Sequence, residues 1–182
     1  MEQNGKRKLT LQETFELFIP DPETFDFSIE SLTQRTKEIA GKEIIILPVE
    51  PTVGFFGGRM ILDFLGKDIE YVVYNSALPA FHSDHVKVHE LAHIMLEHET
   101  QHLRPEDLET SNLKLLRALA GITCRAVDVP RPGVSRGRED QDAETLTRLI
   151  YRHAIDAWEK HKLRRHSSQS LYEGLLRSLT TK

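Results

Sequence analysis

Residues 88–100 read VHELAHIMLEHET, and the rest of the chain is best interpreted outward from this stretch. In a helix, residues four positions apart lie on one face, so His89 and His93 can present two imidazoles to one ion. Two nitrogen ligands at this spacing suit tetrahedral zinc. Glu90 lies about 100° round the helix from His89, where it can border such an ion without binding it. The stretch therefore predicts a helix that carries a metal site.

The order of these residues also predicts a reaction. In an H-E-x-x-H helix, the glutamate takes a proton from a water molecule at the metal, and the hydroxide attacks a carbonyl group that the metal polarises. An apolar stripe that includes Leu91 and Met95 places the histidines outside the predicted core face. The alternative is that the histidines are solvated residues of an ordinary helix. A structural zinc site is disfavoured, because it usually needs four ligands with cysteines among them, and Cys124 is the only cysteine.

The spacing alone leaves the third ligand open. A metzincin pattern needs glycine at position 96 and histidine at position 99, where this chain has Leu96 and Glu99. His98 and His102 follow the motif closely, but each would need its own helix to bend back toward the metal. We interpret these two histidines as solvated residues or as residues that only support the ligands.

A later segment, RGREDQDAETLTRLI at 136–150, offers a carboxylate as third ligand, as in the gluzincins. Its candidate acids are Glu139, Asp140, Asp142 and Glu144. A helix with Ala143 facing the core puts Glu139 and Asp140 on the same side. Asp142 then points away, and Glu144 is intermediate. Acids in the first turn also stabilise a helix through its dipole without any metal, so these residues leave the choice open.

The segments before the motif predict an α+β fold. Residues 28–41 predict an amphipathic helix that begins after Ser28 and ends before Gly41. Three short apolar runs predict strands at 43–49, 60–65 and 69–74, the last two joined by a turn at 66–68. We expect a small three-stranded antiparallel sheet, packed on helices that include the H-E-x-x-H helix at 83–99. Further helices are predicted at 9–18, 106–119, from 139 to 158 or beyond, and 170–179.

Composition restricts the class of protein. The 182 residues are 39% hydrophobic and 29% charged, as in a soluble globular protein with one main domain. A net charge of −4 argues against direct nucleic-acid binding. A single cysteine excludes a disulfide within these residues and fits a reducing cytoplasm. No apolar run is long enough for a membrane helix, and we see no secretory signal.

Three stretches together resemble the ImmA/IrrE family of metallopeptidases. The first is YNSALPAFHSDHVKVHELAHIMLEH at 74–98, which is similar to the family's strand, N-x-x-L-P loop and H-E-L-x-H helix. The second is the strand–turn–strand region before it, with GFFGG at 54–58. The third is EDQDAETLTRLI at 139–150, which resembles the family's E-x-x-A-x-x-(F/L)-A stretch. The resemblance covers residues 29–155.

This resemblance implies a cytoplasmic, zinc-dependent endopeptidase of zincin-like fold. Such enzymes commonly act on helix-turn-helix repressors, often in stress responses or mobile elements. Carried over by position, His89 and His93 are zinc ligands, Glu90 is the catalytic base, and Asp140 takes the third-ligand position, three residues before Ala143. The family usually has glutamate there, and aspartate is one methylene shorter, so Glu139 and Glu144 stay open as substitutes.

The sequence also predicts a domain organisation, and an alternative function stays open. Residues 1–27 form an N-terminal extension with a short helix, 28–165 the metallopeptidase domain, and 166–182 a C-terminal short helix or tail. The expected partner is a protein substrate, plausibly a helix-turn-helix repressor, with no membrane involved. The alternative is a protein of the same fold, weak or inactive as an enzyme, that regulates a transcription factor by binding.

Overall fold

A computed structural model describes residues 7–50, 56–64, 67–103 and 136–180 of the chain. Within these ranges the fold is α+β, as predicted, with four helices and a four-stranded sheet. The helices are α1 (Leu11–Phe18), α2 (Ile29–Ala40), α3 (Ala80–Met95) and α4 (Arg136–Thr180). The strands are β1 (Glu43–Val49), β2 (Gly57–Phe64), β3 (Lys67–Asn75) and β4 (Gln101–Leu103). The helix predicted at 106–119 lies outside the described residues.

The sheet is mixed, so the prediction of an antiparallel sheet is wrong. Its strand order is β1-β3-β2-β4. Strands β2 and β3 form an antiparallel pair, whereas β1 runs parallel to β3 and the short β4 runs parallel to β2. The order of the strands in the sheet differs from their order in the chain. Strand β3, with Val72 and Val73 buried, lies between β1 and β2.

The two N-terminal helices are defined by local capping residues. Thr10 and Glu13 form a reciprocal capping box at the start of α1. The Ser28 side chain accepts a hydrogen bond from the backbone N–H of Ser31 at the start of α2. Gly41 ends α2 with a left-handed φ of 65°, which glycine adopts without steric cost. The predicted boundaries of α2 are therefore confirmed.

One hydrophobic core joins the helices to the sheet, and α3 lies within it. The core includes residues from every helix, with α1 contributing Phe15 and Phe18 and α3 contributing Val88 and Leu91. Its members from α4 are Ala143, Leu146 and Ile150, the face that helical phase predicts. Because α3 packs against α2, α4 and two strands, the second half of the H-E-x-x-H helix is held from several sides.

Helix α3 ends at Met95, four residues before the predicted end. Glu97 adopts a left-handed φ of 53°, although it is not glycine. The backbone N–H of Glu97 donates to the carbonyl of Ile94 at 3.1 Å, and that of His98 donates to the carbonyl of His93 at 3.0 Å. These two bonds form a Schellman C-cap, which stops the helix and turns the chain back.

Helix α4 is longer than predicted. It begins at Arg136, so Glu139 and Asp140 fall in its first turns, and it continues to Thr180. The separate short helix predicted at 170–179 is wrong, because those residues belong to the end of α4. In the described part of the chain, no helix has the length and apolar character that crossing a membrane requires.

Candidate metal centre

Three predicted ligands converge where α3 meets the first turns of α4. The Nε2 atoms of His89 and His93 are 3.2 Å apart. The Oδ1 atom of Asp140 lies 3.4 Å from the Nε2 atom of His93. The three ligand atoms all lie within 4.8 Å of one another, so this group could hold a metal ion.

Two of the distances between these atoms agree with tetrahedral coordination. Ligand atoms about 2.0–2.1 Å from a tetrahedral ion are about 3.3–3.4 Å apart along each edge. The observed separations of 3.2 Å and 3.4 Å are close to that value. The three groups are two imidazoles and one carboxylate, and catalytic metal sites commonly have three protein ligands of these kinds. The residues present therefore fit a divalent cation.

Both histidine rings have a second contact on the side away from the three ligand atoms. The Nδ1 atom of His89 lies 3.5 Å from Oε2 of Glu144. The Nδ1 atom of His93 lies 2.9 Å from Nδ1 of His98. An ionised carboxylate only accepts hydrogen bonds, so the contact with Glu144 favours a proton on Nδ1 of His89 and a lone pair on its Nε2. Metal-ligating histidines commonly have such a supporting partner.

Burial keeps these imidazoles neutral, which is the form that binds metals. Burial lowers the pKa of His93 to about 2, and unfavourable electrostatic interactions with His89, Arg59 and His98 lower it further. Burial also lowers the pKa of His89, against the opposing attraction of the carboxylates of Glu144 and Asp140. At neutral pH both rings are therefore uncharged before any metal binds.

Glu90 and His93 are buried, so the alternative of a solvated helix face is wrong for both. Their relative exposures are 3% and 7%. From Glu90 to Leu96 every residue of the chain is buried, which the predicted apolar stripe on one face does not account for. Glu90 occupies the position directly after His89, as a catalytic base in the H-E-x-x-H arrangement would.

The structure distinguishes among the acidic residues that helical phase left as candidates for the third ligand. Within the described residues, the group that could hold a metal includes Asp140 and none of the other three acids. Glu144 instead contacts His85 at 3.2 Å and His89 at 3.5 Å, and its other oxygen accepts from Nε of Arg148 at 2.9 Å. The side chain of Asp140 is 49% exposed. Asp140 thus belongs to the group that could hold an ion, and Glu144 contacts the first histidine of that group.

Sequence reasoning missed His85, and of its two interpretations of His98 the solvated one is wrong, because His98 is buried and lies 2.9 Å from His93. His85 lies one helical turn before His89, and its ring stacks on Tyr151 with centroids 5.9 Å apart. The spacing of His85, His89 and His93 along one face could have indicated this row. The role of His98 depends on where α3 ends, and Glu97 gives little sign of a helix end because it is not glycine.

A groove of about 510 Å³ begins beside this centre. Its lining includes Glu144 and His85 together with the apolar side chains of Phe81 and Ile155. Phe81 and Ile155 are 68% and 57% exposed, so both offer apolar surface in the groove. The groove therefore reaches Glu144, whose carboxylate lies 3.5 Å from His89, and none of the three candidate ligands is among its described lining residues.

Comparisons with family models, with curated proteins and with solved structures found no match to this chain. The similarity to the ImmA/IrrE family therefore depends on the quoted motifs, and it stays a prediction.

Proposed function

We propose that this protein is a zinc-dependent endopeptidase with a zincin-like fold, as the ImmA/IrrE resemblance implies. One observation carries the proposal. The Nε2 atoms of His89 and His93 and a carboxylate oxygen of Asp140 lie within 4.8 Å of one another, with Glu90 buried directly beside the first ligand. Metal ligands alone fit several reactions, but an adjacent buried carboxylate favours hydrolysis, because hydrolysis needs a proton acceptor.

The residues of this chain have distinct roles in the proposed reaction. His89, His93 and Asp140 hold the ion, and Glu144 orients the ring of His89. When bound, zinc polarises the substrate carbonyl and makes water more acidic. Glu90 accepts the proton of the attacking water and delivers it to the nitrogen of the leaving amine.

The substrate we propose is a protein, and a helix-turn-helix repressor in the cytoplasm is the candidate that the resemblance suggests. The groove beside Glu144 supports a polypeptide substrate, because its exposed Phe81 and Ile155 offer apolar contacts to side chains next to the cleaved bond. Cleavage of an exposed loop or linker requires only that an extended segment reach the metal.

The test is the Glu90→Gln variant, compared with wild type after loading with zinc. A library of mixed-sequence peptides is incubated with each protein, and new termini are counted by mass spectrometry. We expect zinc binding to persist and cleavage to fall by about 10²–10⁴-fold, because the amide cannot accept the proton. Glu159→Gln, at an exposed position of α4, is the matched control and should cleave as wild type does.

Equal cleavage by Glu90→Gln and wild type would exclude Glu90 as the base. Should a regulated repressor respond to the Glu90→Gln protein as fully as to wild type, regulation by binding is the correct function.

A further inference from the structure

His98 lies just outside the H-E-x-x-H motif and contacts its second histidine. The Nδ1 atoms of His98 and His93 are 2.9 Å apart, and the two rings meet edge to face with centroids 5.0 Å apart. His98 is only 5% exposed. A histidine buried against another histidine is an unusual partner, because neither ring supplies a full negative charge.

The ligand cluster determines how a proton is shared between these two rings. Nε2 of His93 faces Nε2 of His89 and a carboxylate oxygen of Asp140, so binding an ion there requires a lone pair on that atom. The proton of His93 then lies on Nδ1 and is donated to Nδ1 of His98. His98 must accept at Nδ1 and carry its own proton on Nε2, a buried atom without a hydrogen-bond partner among the described residues.

The backbone of His98 is held by the sheet. Nη2 of Arg59, on β2, donates to the carbonyl oxygens of His98 at 2.7 Å and of Glu99 at 3.1 Å. Nη1 of the same guanidinium contacts Oε1 of Glu70, on β3, at 2.8 Å, and both side chains of this pair are buried. The hydroxyl of Thr100 donates back to the carbonyl of Arg59 at 3.0 Å. Together with the Schellman turn, these contacts fix the ring of His98 against α3.

We propose that His98 is a positioning residue of the metal centre. It accepts the Nδ1–H of His93 and so keeps Nε2 of His93 unprotonated and directed at the ion. The buried pair of Arg59 and Glu70 acts one step further out, by holding the main chain that carries His98. This role deepens the proposed function and rests on its metal centre.

The first test measures zinc affinity of the full chain by competition with a chromogenic chelator. His98→Ala removes the acceptor, and we expect affinity to fall about 10–100-fold, as for other partners of metal ligands. His98→Asn places an amide oxygen near the former Nδ1 position and should recover most of the loss. His82→Ala replaces an exposed histidine of α3 and is the matched control. It should bind zinc with the affinity of wild type.

The second test needs no variant, so it does not depend on whether His98→Ala folds. Long-range ¹H–¹⁵N spectra of the zinc-loaded wild type should show His93 protonated on Nδ1 and metal-bound through Nε2. They should show His98 protonated on Nε2 with a free lone pair on Nδ1. A His98 nitrogen bound directly to zinc, or unchanged affinity in a folded His98→Ala protein, would overturn the proposal.

The outcomes separate this inference from the proposed function. If zinc binds and His98→Ala weakens it while Glu90→Gln leaves cleavage unchanged, the positioning role stands and the peptidase mechanism falls. If Glu90→Gln abolishes cleavage and His98→Ala binds zinc as wild type does, the enzyme stands and the positioning role falls. A wild-type chain that does not bind zinc overturns both.

Discussion

The two halves of α3 carry the same residue type in opposite surroundings. The first half contains His82 and His85, and near its start Phe81 is 68% exposed. The second half contains His89 and His93 and is buried from Glu90 onward. His85 and His82 face the groove and solvent, whereas His93 meets three polar partners within 3.4 Å. The comparison shows that helical spacing offers several histidines and that packing selects which of them can bind an ion.

The second half of α3 is enclosed by residues from elements that are distant in sequence. Helix α4 brings Asp140 and Glu144, and strands β2 and β3 bring the Arg59–Glu70 pair that fixes the end of α3. In the first half, His85 also contacts Glu144, at 3.2 Å, and the rings of Phe81 and His85 contact Tyr151, but no described residue converges there with a second histidine and a carboxylate as at His93. Three substitution experiments test this difference between the two halves of α3.

The largest effect is expected from removing the charge that anchors the enclosed half. Arg59→Ala leaves Glu70 buried, with Lys42 at 2.9 Å as its remaining cation, and removes two donors to the turn that carries His98. We expect the free energy of unfolding to fall by about 3–5 kcal/mol, measured by urea denaturation of the metal-free protein. The double variant Arg59→Met with Glu70→Leu should recover much of this loss, and a single variant as stable as wild type would contradict the anchoring role.

The second-largest effect is expected in the stabilisation by zinc, when one histidine from each half of α3 is substituted. Wild type should be stabilised by about 2.7 kcal/mol when free zinc is 100 times its dissociation constant. His93→Ala removes a ligand and should abolish this stabilisation, whereas the exposed His82→Ala should retain it. Thermal unfolding with and without zinc measures both, and equal stabilisation of the two variants would show that the halves do not differ.

The smallest effect concerns the end of α3. Glu97 has a left-handed φ of 53°, which costs a side-chain-bearing residue about 1 kcal/mol or more. Glu97→Gly should therefore raise the free energy of unfolding by about 0.5–1 kcal/mol. Gly41→Ala, at the corresponding position of α2 with a φ of 65° and open space around the added methyl, should lower it by a similar amount. Denaturant midpoints of the two variants should move in opposite directions.

Features that depend on neighbouring residues could be predicted from the sequence, and features that depend on distant ones could not. Ser28 and Gly41 bound α2 because caps act within one turn. The strand positions followed from short apolar runs, but the pairing of β1 with β3 depends on how buried β3 is in the folded sheet. Three of the four strands were therefore predicted, β4 was missed, and the predicted topology was wrong.

The candidate site shows the same division. The spacing of His89 and His93 indicated a ligand pair because both lie on one helix face. Helical phase narrowed the candidates for the third ligand to a few acids near the start of α4, and only the packing of α4 on α3 brings Asp140 within 3.4 Å of His93. The sequence did not show that His98 contacts His93. That contact requires α3 to end at Met95 and Glu97 to adopt a left-handed conformation that glycine usually provides.

The ligand set joins two helices that the chain connects only through a long intervening segment. His89 and His93 belong to α3, and Asp140 belongs to the start of α4. An ion held by all three would act as a cross-link between the helices, so parting them would require breaking a coordination bond. Loss of the ion and separation of α3 from α4 would then be one event, and metal content would report directly on whether this part of the core is assembled.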